Sequence, residues 1–325
     1  TAGNDHRLGA NEAPPAVVSM FLGDELNGVL EAIEKDIPYE GAEKTQMKLG
    51  VDVLPKFNRD TTDRNRTSPF AFTGNKFEFR MVGSLDSIAS PNTTLNAIVA
   101  EAFCEAANVL EQASDFDMAV HDLIKEYMTK HQRIIFNGNG YSQEWVAEAA
   151  RRGLPNIRSM VEAVETLNTE KSIRLFEKFG IFTHAELESR AEVLYETYAK
   201  TINIEALTMI DMVAREYMPV IIKYTGFLAN TINSLTAAQA PVKVQTDILK
   251  KVSARLEETD SAYNHLKEVT AIAAGMENCK EQAFYSRDVI IKAMEALRAP
   301  IDELEMLVEK DVWPVPTYAD LMFDI

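Results

Sequence analysis

The sequence predicts an α+β protein in which a short mixed region of strands precedes a much larger helical region. Three observations carry that expectation. Before about residue 90, short apolar or alternating runs are separated by turn residues, the texture of strands. Beyond it, apolar residues recur at steps of three and four for most of the remaining chain, the period of amphipathic helices. The composition permits a real core, since 46% of the 325 residues are hydrophobic and 26% are charged, a balance typical of folded soluble proteins.

Taken in order, Ala16 to Phe21, Phe70 to Phe72 and Lys76 to Met81 read as strands, interrupted by one helix over about Asp24 to Lys35. The texture changes near Ser90-Pro91-Asn92, which divides the chain into residues 1–90 and 91–325. In the second part the helical rhythm breaks chiefly at Asn137-Gly138-Asn139-Gly140, Gly153-Leu154-Pro155, Gly180 and Ala240-Pro241. Thr183 and Glu186 form a capping-box pattern ahead of a stripe from Leu187 to Val213, predicting a helix from 184 to about 216. Two further stripes, Leu249 to Ala273 and Ile290 to Val308, follow a heptad rhythm across a short connection at 275–278. They predict a long antiparallel helical hairpin over about 242–310. Pro300 sits inside the second stripe, where loss of an amide donor is expected to kink or divide the helix. The tail Trp313-Pro314-Val315-Pro316 is expected to be extended.

Charge and cysteine content exclude several classes. Fifty acids against thirty-three bases leave a net charge of −17, which disfavours nucleic acid, because binding a polyanion needs clustered Lys and Arg. Cys104 and Cys279 stand alone, so neither a disulfide framework nor a zinc site is expected, and a reducing, cytoplasmic setting fits best. No stretch approaches the run of about 18 apolar residues that spans a membrane. No leader pattern stands at the front, and the start at Thr1 instead of Met suggests an absent upstream part.

One window reverses the overall sign. Between residues 59 and 80, Arg59, Arg64, Arg66, Lys76 and Arg80 outnumber Asp60, Asp63 and Glu78. Guanidinium forks match carboxylate and phosphate oxygens, so the window reads either as a site for a small anionic ligand or as a surface salt-bridge network. Two-residue periodicity places Lys76, Glu78 and Arg80 on one strand face, and Phe77, Phe79 and Met81 on the other. A carboxylate between two cations stays ionised, and suits either a divalent metal beside a phosphate or a set of cross-strand ion pairs. Upstream, Asp5 to Pro15 packs four titratable residues, a Gly and two Pro into an ordered loop leading into the first strand. It is either a plain connection or a binding loop in which Glu12 serves as base or electrostatic stabiliser.

The blocks Gly3-Asn4-Asp5-His6-Arg7-Leu8-Gly9-Ala10-Asn11-Glu12-Ala13-Pro14-Pro15 and Arg64-Asn65-Arg66 through Lys76-Phe77-Glu78-Phe79-Arg80 closely resemble type III glutamine synthetase. The ending Trp313-Pro314-Val315-Pro316-Thr317-Tyr318 is similar to that family's C-terminus. The match is to the second half of the family's polypeptide. It implies that residues 1–90 are the C-terminal part of the catalytic β-sheet/barrel domain. The reaction implied is ATP-dependent ligation of ammonia to glutamate through γ-glutamyl phosphate, with Mg²⁺ or Mn²⁺.

By the same resemblance Arg7 and Arg80 contact glutamate, and Glu12 shields the acyl phosphate and takes a proton from ammonium. Arg64, Arg66 and Lys76 contact ATP, with Arg66 also acting on the phosphoryl group in transfer, and Glu78 ligates metal. The more familiar bacterial type has a further Arg five residues beyond its Arg-Asn-Arg motif, where this chain has Ala71. A ring-based dodecamer with shared active sites is implied, and this chain alone is expected to be inactive. A sister ligase joining glutamate to another amine, and a non-catalytic helical interaction module, are the alternatives. Asn137 to Gly140 lacks the Lys-Ser/Thr of a phosphate-binding loop and reads as a turn.

Overall fold

In the computed structural model, residues 16–39, 41, 67–80 and 87–323 are described. Packing divides the chain into two units, Thr1–Glu188 and Ser189–Ile325.

In the first unit the apolar runs form a three-stranded sheet. Strand β1 (Met20–Phe21) lies parallel to β2 (Phe70–Phe72), with Met20 opposite Phe70 and Phe21 opposite Ala71. Strand β3 (Phe77–Phe79) returns antiparallel to β2, pairing Phe70 with Phe79, Ala71 with Glu78 and Phe72 with Phe77. The turn between them closes through the Thr73 N–H on the Lys76 carbonyl at 2.8 Å. On the other side, Ile135 bridges Met20 in parallel, and the Phe136 N–H donates to the Met20 carbonyl at 3.0 Å. Residues far beyond position 90 therefore extend this sheet.

Helix α1 (Gly23–Glu34) follows β1 and packs on α3 (Phe116–His131), while α2 (Ala89–Leu110) packs on α3 and on α6 (Glu170–Lys178). Helix α4 (Gln143–Arg151) carries Trp145 and Ala149 into a core with Val17 and Leu154, against which Ile134 and Phe136 pack. A second cluster joins Ala97, Phe176 and Leu187. Short α5 (Met160–Glu165) lies between. Several N-termini are capped by the residue types that accept from free amides: Asp115, Ser142, Ser159 and Thr169 each receive an N–H three residues on. Gly153 and Gly180 terminate α4 and α6 with φ of 69° and 62°, the left-handed conformation that glycine adopts without steric penalty.

Helix α7 (His184–Met212) begins at the expected capping box, where the Thr183 N–H meets Glu186 Oε2 at 2.8 Å and the Glu186 N–H meets Thr183 Oγ1 at 3.3 Å. It does not end near 216 as expected. A π turn over Val213–Tyr217 leads directly into α8 (Met218–Ala237). Pro219 has no N–H for the carbonyl of Arg215, and the wider turn accommodates its ring where a straight α-helix would clash.

In the second unit α9 (Lys243–Ala274) packs along α8 and along α11 (Ile291–Glu305), which continues α10 (Cys279–Tyr285) through a second π turn at Ser286–Ile290. Gln282 Nε2 donates to the Ala273 carbonyl at 2.9 Å, and Arg255 Nε reaches Glu303 Oε2 at 2.8 Å. Val252, Leu266, Ile290, Leu297 and Leu304 are fully buried along this seam. Thr259, Thr270 and Ser286 are buried there too, each hydroxyl donating to the carbonyl four residues back at 2.7 to 2.8 Å.

Of the kink or division expected at Pro300 the division is absent: α11 runs through it, with Pro300 itself buried along with Leu297 and Ile301. Burying the apolar stripe outweighs the one ladder bond that proline omits. Trp313 to Pro316 are non-helical as expected, but Trp313 is buried against Tyr217, ring centroids 5.3 Å apart, and a short helix α12 (Tyr318–Phe323) follows.

Candidate functional site

The hairpin of β2 and β3 carries the charged face. Glu78 lies between two cations, with Lys76 Nζ 3.2 Å from Oε1 and Arg80 Nη2 3.1 Å from Oε2. Arg80 Nε also approaches Oε2 at 3.3 Å. Lys76 beside Glu78, and then Arg80, hold its carboxyl below the usual glutamate range. Exposure is graded across the face: the side chain of Lys76 is 66% exposed, that of Glu78 37% and that of Arg80 14%. The outer cation is therefore mostly in solvent, whereas the inner one is largely buried.

The opposite face is made of rings. Phe70 stacks on Phe77 at 5.7 Å and meets Phe79 edge-on at 6.0 Å, while Phe72 tilts on Phe77 at 5.2 Å. The alternation read from the sequence is thus present at Lys76 through Arg80; Met81 lies outside the described residues. Ala71 is fully buried directly opposite Glu78, so its methyl occupies the charged face where a longer side chain would have projected.

Of the seven residues singled out from the sequence, Lys76, Glu78 and Arg80 are brought together. Arg7, Glu12, Arg64 and Arg66 lie outside the described residues. Among the described residues no group of three or more His, Cys, Asp or Glu side chains is placed to hold a metal ion. Glu78 is an ionised carboxylate, a ligand type that hard cations take.

Sequence reasoning missed a second set of residues. The Asn137 to Gly140 turn is fastened to the sheet at three places. Asn137 Oδ1 accepts from the N–H groups of Leu22 at 2.9 Å and Gly23 at 3.1 Å, capping α1 from 115 residues away. The Gly140 N–H donates to the Thr67 carbonyl at 3.0 Å, and Phe136 is bonded to Met20. Behind the turn Phe136 stacks on Trp145, centroids 3.8 Å apart and 7° from parallel. Arg152 lies over the Trp145 ring at 5.2 Å and donates to the Ile135 carbonyl at 3.0 Å. A Cβ at Gly138 would stand 2.6 Å from the Phe136 ring, so only glycine fits under it.

A match to the glutamine synthetase C-terminal domain covers residues 119–236. Over 331 residues the chain is 39% identical to a glutamine synthetase of Butyrivibrio fibrisolvens, a span that takes in 100% of this chain and 47% of that protein. It is 38% identical to a type-3 glutamine synthetase of Dictyostelium discoideum, over 99% of this chain and 45% of the relative. A glutamine synthetase of Bacteroides fragilis is 36% identical, over 99% and 46%. The chain belongs to the glutamine synthetase family. It spans about half the length of the curated relatives it matches, and corresponds to their C-terminal half. The segment matching the glutamine synthetase C-terminal domain includes the Asn137 to Gly140 turn, α4, and nearly all of the long π-turned helix.

Proposed function

We propose that this chain is the closing part of a glutamine synthetase catalytic domain joined to a large helical region, within a longer type III polypeptide. The full protein ligates ammonia to the γ-carboxylate of glutamate at the expense of ATP. The observation that carries this reading is Glu78, held ionised between Lys76 and Arg80 on one face of β3 in a chain of this family.

Each residue then has a task. Arg80, the least exposed of the three, is fixed to bind the substrate carboxylate, and Arg7 binds the same glutamate. Lys76 turns outward to the nucleotide with Arg64. The γ-carboxylate oxygen of glutamate attacks the terminal phosphorus of ATP and displaces ADP, while Arg66 holds the charge that gathers on the phosphoryl oxygens in transfer. Ammonia then attacks the γ-carbon, phosphate leaves, and Glu12 accepts the proton released by ammonium while its loop excludes water. A divalent cation, Mg²⁺ or Mn²⁺, fits the Glu78 carboxylate as one of its oxygen ligands and supplies charge neutralisation at the ATP phosphates when bound.

The same reading carries a cytoplasmic, ring-based dodecamer with active sites shared between subunits, and no activity for this chain alone. Its division into residues 1–90 and 91–325, with the long helical hairpin in the second part, belongs to the proposal as well. Among the described residues no helix is long and apolar enough to cross a membrane.

The test is phosphate release by the full-length protein with ATP, Mg²⁺ and glutamate, with and without ammonium. Glutamine should form one-for-one with phosphate, and Arg80→Ala should raise the glutamate KM at least tenfold. Equal turnover with methylamine or another amine in place of ammonium would point instead to a sister ligase, and no glutamate-dependent ATP cleavage would refute the reading.

A further inference from the structure

We propose that Asn137 is a positioning residue for the ligase site, acting through the turn that carries it. The inference rests on the glutamine synthetase reading above. Two strands lead to the charged face, and the Asn137 to Gly140 turn with its lead-in grips the end of β1 and the approach to β2. Asn137 Oδ1 holds the Leu22 and Gly23 N–H groups just past β1, and the Phe136 N–H holds the Met20 carbonyl within it. The Gly140 N–H holds the carbonyl of Thr67, which follows Arg66 directly in sequence and lies three residues before the start of β2. Registry carries that constraint onward: Met20 pairs with Phe70, and the next residue, Ala71, pairs with Glu78.

The turn is itself rigid, because Phe136 is caught between the Trp145 ring and the bare backbone of Gly138. Arg152 pins the lead-in, a 3-10 turn over Gln132–Ile134 followed by Ile135, through the Arg133 and Ile135 carbonyls. Alanine at 137 leaves two amides without their acceptor and frees one end of the grip, while aspartate keeps an acceptor oxygen in a place where negative charge is favoured, at a helix N-terminus. Misplacement of reacting groups by about 1 Å costs on the order of a hundredfold in rate, so loosening this grip should be read in turnover.

The experiment uses the full-length protein and counts competent sites with methionine sulfoximine, ATP and Mg²⁺, so that turnover is expressed per titrated site. Asn137→Ala should keep close to the parental titre and lose at least tenfold in kcat per site, with the glutamate KM within threefold of the parent. Asn137→Asp should recover to within threefold. Gly138→Ala, which presses on Phe136 without removing the cap, should also slow each site and keeps the test informative if Asn137→Ala does not fold. Parental turnover per site in both Asn137→Ala and Gly138→Ala, a loss explained entirely by a lower titre, or failure of Asn137→Asp to recover would overturn the positioning role alone. A parent that neither makes glutamine nor is trapped would overturn the reading on which it rests.

Discussion

Glu78 shows how much chemistry one residue draws from its immediate neighbours. With Lys76 and Arg80 two residues away on either side, a strand places all three charges together with no help from the rest of the fold. That is why the face was legible in the sequence. Lys76 contributes most to the lowered Glu78 pKa, so Lys76→Met should move it back up toward the ordinary glutamate value, as read by carboxyl carbon NMR shifts against pH. Because the folded pKa lies below the unfolded one, the favourable contribution is present above about pH 4.5 and disappears as pH falls through the folded value. Asn137 was not legible for the opposite reason. Asn-Gly-Asn-Gly reads as a turn on local chemistry, and nothing near it in the chain announces that its side-chain oxygen accepts from amides at Leu22 and Gly23.

At the scale of elements, helix starts were readable where a cap lies within three residues, as at Thr183 and Glu186. The same spacing recurs at Thr317 and Asp320, unremarked in the sequence and present in the structure. The Thr317 N–H and hydroxyl donate to Asp320 Oδ2 at 2.9 and 2.8 Å, and Lys310 lies beside the same carboxylate. Lys310, then Thr317, lower the Asp320 pKa from 3.8 to about 2. The cap on α12 should therefore stay intact above pH 4 and weaken only as pH falls from about 3.8 toward 2, which carboxyl NMR of Asp320 checks directly. A midpoint near 3.8 would show that the cap does not form. Helix ends were read less well. Val213–Tyr217 and Ser286–Ile290 are single π turns inside longer helices, which the apolar stripe alone does not reveal, and Pro300 does not stop α11. At Pro300 burial decides, and burial depends on partners remote in sequence.

For the whole molecule, the three-stranded sheet of two- and three-residue strands is too small to stand alone. It is held by α4 and the Asn137 to Gly140 turn, which lie well beyond the change of texture at residue 90. The helical seam of the second unit is a packing problem in its own right. Leu297 is fully buried there, and Leu297→Ala should cost about 2–5 kcal/mol, a large-to-small core change, seen as a lower Tm of the full-length protein. A loss under about 0.5 kcal/mol would mean that the seam is not packed as described. The sharper proposal concerns the charged face, that Glu78 on β3 is a metal-binding carboxylate of a ligase site. The measurement that tests it most directly is ATP-dependent trapping by methionine sulfoximine of the full-length protein alongside Glu78→Ala at matched Mg²⁺. Tight trapping of the parent and its loss in Glu78→Ala, with unfolding unchanged, is the result expected; equal trapping of both would contradict it.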